Sequence, residues 1–420
     1  MSEWKESKIH TLCEAIIDCV NKTAPTVEKV TPYRMIRTSN VKDGCIDLSS
    51  TNYVTEDIFT KWTRRSTLKK GDIVLTGEAP LGELGKIIDG KNLFLGQRLM
   101  MYRPNVNIVD PDFLFYAFLS REVKHQIKSC GMGSTVEHMR VADCSEIIVK
   151  HPDLGQQKEI GKTLSLLDAK IDNLKRQNET LEEIARSIFK HWFIDFEFPN
   201  PDGKPYKSSG GAMVRSDLGD IPEGWRVGKL GDVGKIITGK TPSTQSPELW
   251  GEDLPFITPT DFKNYGKYIL GAERKISRLA STKFKNYIIP KNSIIVTCIG
   301  SDMGKVVKTA ISCMTNQQIN SIILFDKIYF HEYIFNYLKN QYKLLRNIAL
   351  GGSTMPIINK TAFSDIEIII PCSESLNIFE NIISPLNDKI INNDSSIQIL
   401  TKTRDALLPK LMSGQIRVKE

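Results

Sequence analysis

Eight cysteines are scattered over 420 residues with no C-x-x-C pair among them. Zinc modules gather thiols at short spacing, so this absence argues against a bound metal. It leaves reduced thiols packed as small hydrophobes in an oxidant-poor compartment. The six histidines are equally sparse and none falls in H-x-x-x-H spacing. The opening Met1-Ser2-Glu3-Trp4-Lys5-Glu6 lacks the basic-then-apolar layout of a signal peptide, and no apolar run approaches membrane-spanning length. A soluble, cytoplasmic protein is expected. There is no Asp/Asn-Pro-Pro-aromatic tetrapeptide of the kind that holds the target amine in adenine methyltransferases. Asp202-Gly203-Lys204 imitates a nuclease D-x-K, but it sits among prolines with no strand to place a second carboxylate. These absences together predict a chain without a catalytic centre, a metal or a cofactor of its own.

Charge is also in short supply as a guide. Lys and Arg total 56 against 49 Asp and Glu, a formal net charge of +7. That surplus suits a polyanionic partner without requiring one. With 40% hydrophobic and 25% charged residues the chain is globular, and its length can bury two ordinary cores.

What the sequence does have is repetition. Gly133-Ser134-Thr135 and Gly352-Ser353-Thr354 lie roughly half the chain apart, and each precedes an apolar strand closing on proline: Ile147-Ile148-Val149 with Pro152, and Ile368-Ile369-Ile370 with Pro371. Leu167-Asp168-Ala169-Lys170-Ile171 falls on Leu386-Asn387-Asp388-Lys389-Ile390 under the same shift. Upstream, Gly71–Thr76 matches Asn292–Thr297, Gln97 and Arg98 align near Gln317 and Gln318, and Trp4-x-x-x-Lys8 echoes Trp225-x-x-x-Lys229. The period is far too long for a solenoid. The reading is an α+β protein, a pseudo-two-fold tandem repeat of two globular domains, each followed by a long helix. The expected boundaries are 1–152, 153–198 for the first helix, 199–224 for a Pro/Gly/Ser linker, 225–371, and 372–415 for the second helix. One helical stretch is expected within each globular part, Asp112–Lys128 and His331–Ala349.

After Pro152 the pattern changes. Leu164, Leu167, Ile171, Leu174, Asn178 and Leu181 recur at alternating spacings of three and four, as do Ile383, Leu386, Ile390, Asn393, Ile397 and Leu400. This is the heptad seam of a coiled coil, and the first helix would run roughly 50 Å. Each seam carries one asparagine. If the helices lie antiparallel, the register that sets Asn178 against Asn393 also sets Ile171 against Leu400 and Leu181 against Ile390.

Gly234-Lys235-Ile236-Ile237-Thr238-Gly239-Lys240-Thr241 satisfies the G-x-x-x-x-G-K-T phosphate-loop pattern. That loop works because a helix begins at its lysine, and here Pro242 and Pro247 leave no helix to begin. The corresponding stretch of the first copy, Cys19-Val20-Asn21-Lys22-Thr23, has no glycine. A nucleotide hydrolase using Lys240 and Thr241 is therefore the weaker alternative.

The remaining polar inventory suits DNA. The first copy offers Lys61, Arg64, Arg65, Gln97, Arg98, Ser134, Thr135 and Arg140; the second offers Lys263, Arg274, Lys275, Arg278, Gln317, Gln318, Ser353 and Thr354. Lys and Arg neutralise phosphates, while Arg and Gln can pair with guanine and adenine edges. Singly, each is an ordinary solvated residue. Their recurrence at corresponding places gives the argument its force, because two similar readers would suit a two-part target.

These features resemble the specificity subunits of type I restriction–modification enzymes. The resemblance is carried most specifically by Trp192-Phe193-Ile194-Asp195-Phe196-Glu197-Phe198-Pro199 and Leu407-Leu408-Pro409-Lys410-Leu411-Met412-Ser413-Gly414-Gln415-Ile416. Asn40–Gly44 and Gly239–Ser243 resemble the family's domain-opening loops. The first domain lacks the glycine-rich opening loop of the second, a departure from the family's pattern. The resemblance implies two target recognition domains, each reading half of a split site, and an antiparallel coiled coil that spaces them. It implies two adenine methyltransferase subunits carrying S-adenosylmethionine, and endonuclease–translocase subunits using ATP and Mg as further partners. A stand-alone DNA-binding coiled-coil scaffold remains the other alternative.

Overall fold

The computed structural model describes residues 4–20, 22–131, 137–300, 303–325, 331–342, 345, 347 and 357–418. The fold is mixed α/β, dominated by two long helices, Leu154–Phe189 and Ser373–Met412. The chain divides into two units, Met1–Asp172 with Gln398–Glu420, and Asn173–Ile397.

In the first unit, Lys5–Lys8 pairs antiparallel with Ile148–His151, which brings the two ends of the globular part together. Its main sheet runs in the order Cys13–Asp18, Leu99–Pro104, Ile73–Gly77, Leu81–Lys86. The apolar strand residues Ile73, Leu75 and Tyr102 face a core shared with Phe113, Phe118 and, from the long helices, Ile160, Leu164 and Leu411. The helical stretch expected over Asp112–Lys128 is two helices, Pro111–Leu119 and Arg121–Ser129. Ser120 has extended backbone angles and its hydroxyl accepts from the Val123 N–H, so a capping serine restarts the helix.

In the second unit, Arg226–Lys229 pairs antiparallel with Glu367–Ile370. A five-stranded sheet has the order Gly234–Thr238, Ile319–Leu324, Ile294–Thr297, Val306–Thr309, Tyr268–Ile269. A second sheet of four strands contains Trp250–Ile257 and Arg274–Ile276. The helix His331–Asn340 is buried along most of its length; Ala349 lies outside the described residues. The first long helix passes into a π-helical turn, Lys190–Ile194, that buries Trp192 and Phe193 against Trp225, Tyr333 and Phe379. The composition of 199–224 predicts a plain linker, yet Met213–Ser216 and Gly219–Pro222 form a hairpin whose Ile221 is buried.

Within each unit the two helix segments run antiparallel. In the first, Asp168 accepts from Arg404 Nη1 at 2.7 Å, and Ile160 and Leu164 share a core with Leu411. In the second, Asn393 Nδ2 donates to Asn178 Oδ1 at 2.8 Å, Asn178 Nδ2 donates to Asp394 at 2.7 Å, and Phe189 lies against Phe379. Leu164, Ile171, Leu174, Asn178, Ile383, Ile390 and Asn393 are buried; Leu167, Leu181, Leu386, Ile397 and Leu400 are half-buried. The second helix continues through Pro385 and Pro409, both of which are exposed. Proline removes one hydrogen bond from a helix interior, and here the burial of the opposite face holds the helix together.

Candidate nucleic-acid interface

Two tight turns collect much of the predicted polar inventory. In the first unit, the turn through Gln97 and Arg98 leads into the strand Leu99–Pro104, and Arg98 has a left-handed φ of 67°. The Cys19 N–H donates to the Leu99 carbonyl at 3.1 Å and the Gly77 N–H donates to the Arg98 carbonyl at 2.8 Å. Thr23 Oγ1 donates to Gln97 Oε1 at 3.0 Å. Arg98 Nε lies 3.2 Å from Glu78, and Arg65 pairs with Asp18 at 2.7 Å. The Met139 N–H donates to the Gly77 carbonyl, returning the chain at Arg140 to the same corner.

In the second unit, the turn through Gln317 and Gln318 leads into Ile319–Leu324. The Gly239 N–H donates to the Ile319 carbonyl at 3.0 Å and the Cys298 N–H to the Gln318 carbonyl at 2.7 Å. Thr241 Oγ1 donates to Gln317 Oε1, and Asn316 Nδ2 donates to Gln318 Oε1 at 3.0 Å. The Lys240 ammonium sits 5.7 Å from the Phe284 ring centre and 5.3 Å from that of Tyr287. The Arg274 guanidinium stacks 3.7 Å above Trp250, whose indole N–H donates to the Ser243 carbonyl.

These contacts join Arg65, Gln97, Arg98 and Arg140 at one corner of the first unit. Gln317 and Gln318 are joined to the opening loop of the second unit, and Arg274 is held against the far end of that loop. Lys275 pairs instead with Glu252 at 2.7 Å. Lys61 lies on the helix Glu56–Trp62 with Arg64 just beyond it, Lys263 on the turn Asp261–Asn264, and Arg278 at the start of Arg278–Lys283; all are exposed. No hydrogen bond or ion pair among the described residues ties these four to the turns. Ser134, Thr135, Ser353 and Thr354 lie outside the described residues.

The phosphate-loop pattern has a structural explanation. Gly234–Thr238 is a strand, and no helix begins at Lys240. A Cβ on Gly239 would lie 2.1 Å from the Asn316 carbonyl oxygen, so that glycine lets the loop pack against the Thr315–Asn316 turn.

Neither cysteine beside the two turns is an activated nucleophile. Burial pushes the Cys19 thiol up, and pushes Cys298 up to about 12. Among the described residues no group of three or more His, Cys, Asp or Glu side chains could hold a metal ion. What the turns present is a set of amide and guanidinium groups able to hydrogen-bond, which suits recognition.

Polar contacts that no sequence pattern announces hold each globular part to its helices. In the first unit Tyr116 Oη donates to Asp168 of the long helix at 2.6 Å. In the second, Glu332 is fully buried between Lys267 and Lys308, and Lys267 Nζ also donates to Asn387 Oδ1 at 2.6 Å. Burial alone would raise Glu332, but Lys308 and Lys267 outweigh it and hold the carboxyl down at about 2. Its neighbour Glu380 is pushed up to about 7 by burial and by the Glu332 charge.

The profile of the type I restriction modification DNA specificity domain matches residues 1–183 and again residues 222–402. The chain belongs to that family. As a specificity subunit it serves DNA recognition and is not itself a catalyst, and DNA and a methyltransferase are its partners. It is 30% identical over 406 residues to the type I restriction enzyme HindI specificity subunit of Haemophilus influenzae, covering 84% of this chain and 88% of that one. It is 32% identical over 357 residues to the MjaIX specificity subunit of Methanocaldococcus jannaschii, covering 84% and 79%. The fold is that of a type I restriction–modification S subunit from M. genitalium, with a TM-score of 0.60 at 17% identity over 98% of this chain and 96% of that one. No helix among the described residues is long and apolar enough to cross a membrane.

Proposed function

We propose that this specificity subunit reads a split DNA target with two duplicated domains, residues 1–152 and 225–371, one for each half-site. The observation that supports this best is the double match of one specificity-domain profile along a single chain. On this reading 153–198 and 372–415 form an antiparallel coiled coil that spaces the half-sites, with 199–224 as the connection. Arg65, Gln97, Arg98 and Arg140, and Arg274, Gln317 and Gln318, lead the candidate contacts; Lys61, Arg64, Lys263, Lys275 and Arg278 serve as outlying phosphate contacts. Ser134, Thr135, Ser353 and Thr354 complete the set. Two adenine methyltransferase subunits dock on this cytoplasmic scaffold, joined by two endonuclease–translocase subunits. S-adenosylmethionine, ATP and Mg belong to those partners, and this chain binds none of them.

A genome-wide map of methylated adenines, in cells with and without this chain and with the methyltransferase gene intact, tests the proposal. Loss of a split motif on deletion is the expected result. An unchanged map, with the methyltransferase shown to be active, would leave a DNA-binding scaffold that acts without it.

A further inference from the structure

A single feature recurs in both units and is absorbed by neither the spacing nor the reading of half-sites. In the first unit Lys22-Thr23 approaches Gln97, whose carbonyl oxygen accepts the Thr23 hydroxyl at 3.0 Å. In the second, Lys240-Thr241 approaches Gln317, whose carbonyl oxygen accepts the Thr241 hydroxyl. Each glutamine sits just before a strand that hydrogen-bonds the residue at the end of the opening strand: Leu99 with Cys19, and Ile319 with Gly239.

The chemistry of a glutamine held this way is restricted. Bidentate pairing with adenine needs the amide carbonyl to accept from N6 while the NH2 donates to N7. The threonine bond fixes the orientation of each amide and takes one of the two lone pairs of Oε1, so Gln97 and Gln317 keep two N–H donors against a single acceptor site. The adjoining residues add to the same pattern. The side-chain oxygen of Gln318 likewise accepts from Asn316, and Arg98, one N–H of which faces Glu78, can only donate. Apart from the Glu78 carboxylate already paired with Arg98, donors outnumber acceptors at these turns, which fits a ligand that offers acceptors alone.

We propose that Gln97 and Gln317, positioned by Thr23 and Thr241, each hold a phosphodiester oxygen of the DNA backbone rather than a base. This rests on the DNA-recognition reading above. Shared Lys-Thr and Gln residues cannot tell one half-site from another, whereas every half-site supplies phosphates. Discrimination then falls to neighbours that differ between the units, Arg98 in one and Gln318 in the other.

The test uses the full chain assembled with its methyltransferase subunits. Duplexes carrying the mapped motif, and duplexes with both half-sites scrambled, are titrated over a range of salt. Gln97→Lys and Gln317→Lys place a cation at a phosphate. Each is expected to tighten binding to both duplexes by the same factor and to steepen the log K against log salt slope by about one. Thr23→Val and Thr241→Val are expected to weaken both duplexes alike, by about threefold to tenfold, with the slope and the methylated motif unchanged. Thr→Ser at either position restores the binding. A changed ratio between the two duplexes, or an altered base in the motif, would show a base reader and overturn the proposal. Unchanged affinity and slope in the lysine variants would overturn it too, by showing no DNA contact. If the unsubstituted complex fails to prefer the mapped motif, the recognition reading fails, and the anchor is still decided on the scrambled duplex.

Discussion

At the scale of single residues, the second unit stakes most on Glu332. Two ammonium groups share one fully buried carboxylate, and Asn387 of the long helix takes a further N–H from Lys267. Removing the negative member leaves two buried cations uncompensated. Glu332→Gln should cost about 3–5 kcal/mol in denaturant unfolding. The pH signs of the neighbouring carboxylates are opposite. Glu332, held down at about 2, contributes stability that is complete above about 4.5 and is lost as pH falls toward 2. Glu380, raised to about 7, contributes stability that is complete below about 4.5 and is lost as pH rises through 7, because the unfolded carboxyl ionises first. The groups facing it are Glu332, Lys308 and Lys267. Glu380→Gln should therefore remove a decline of roughly 2 kcal/mol between pH 5 and 8, allowing for the solvent that reaches this side chain. Unfolding midpoints measured at those two pH values would show it.

At the scale of elements, the long helices were the most legible part of the sequence, because a heptad seam is a periodic signal that needs no tertiary knowledge. Leu164, Ile171, Ile383 and Ile390 are buried for the reason their spacing gives. The break at Ser120 was invisible in the apolar–aromatic run around it, since only the local backbone decides whether a serine caps or continues a helix. The hairpin at 213–222 was hidden by the prolines and glycines that precede it. The buried lysines escaped for a different reason. Lysine reads as surface in any pattern, and only the fold brings Lys267, Lys308 and Glu332 together. The Gln97 and Gln317 positions could be found by aligning the two halves, but the threonine that takes each carbonyl could not. The Asn178–Asn393 pair also makes a prediction at this scale. Asn178→Ala leaves Asn393 only the 3.5 Å contact to Gln177 and takes from Asp394 its donor, and should cost about 1–3 kcal/mol, whereas changing both to leucine should recover the Asn393 part of that loss. Thermal unfolding of the two singles and the double measures the coupling. The leucine pair should also slip in register, which cysteine cross-linking along the helices would detect.

At the scale of the molecule, the proposed spacer can be lengthened deliberately. Seven residues keep the heptad pattern, and one heptad inserted in each long helix beside the asparagine pair would add roughly 10 Å. The expected outcome in a methylation map is the same two half-sites with a gap about three base pairs longer. An unchanged gap would count against the helices as the spacer.

The first unit is not built from one stretch of chain. Its core takes Ile160 and Leu164 from one helix and Leu411 and Met412 from the other, and the indole of Trp4 lies against Gly414, whose φ of 72° turns the backbone there. During synthesis the first 172 residues emerge with one wall of their core missing, and that wall arrives only when residues 398–412 leave the ribosome. Nonsense or frameshift lesions near residue 400 would therefore unseat the proposed reader of the first half-site, although every residue of that reader had been translated correctly.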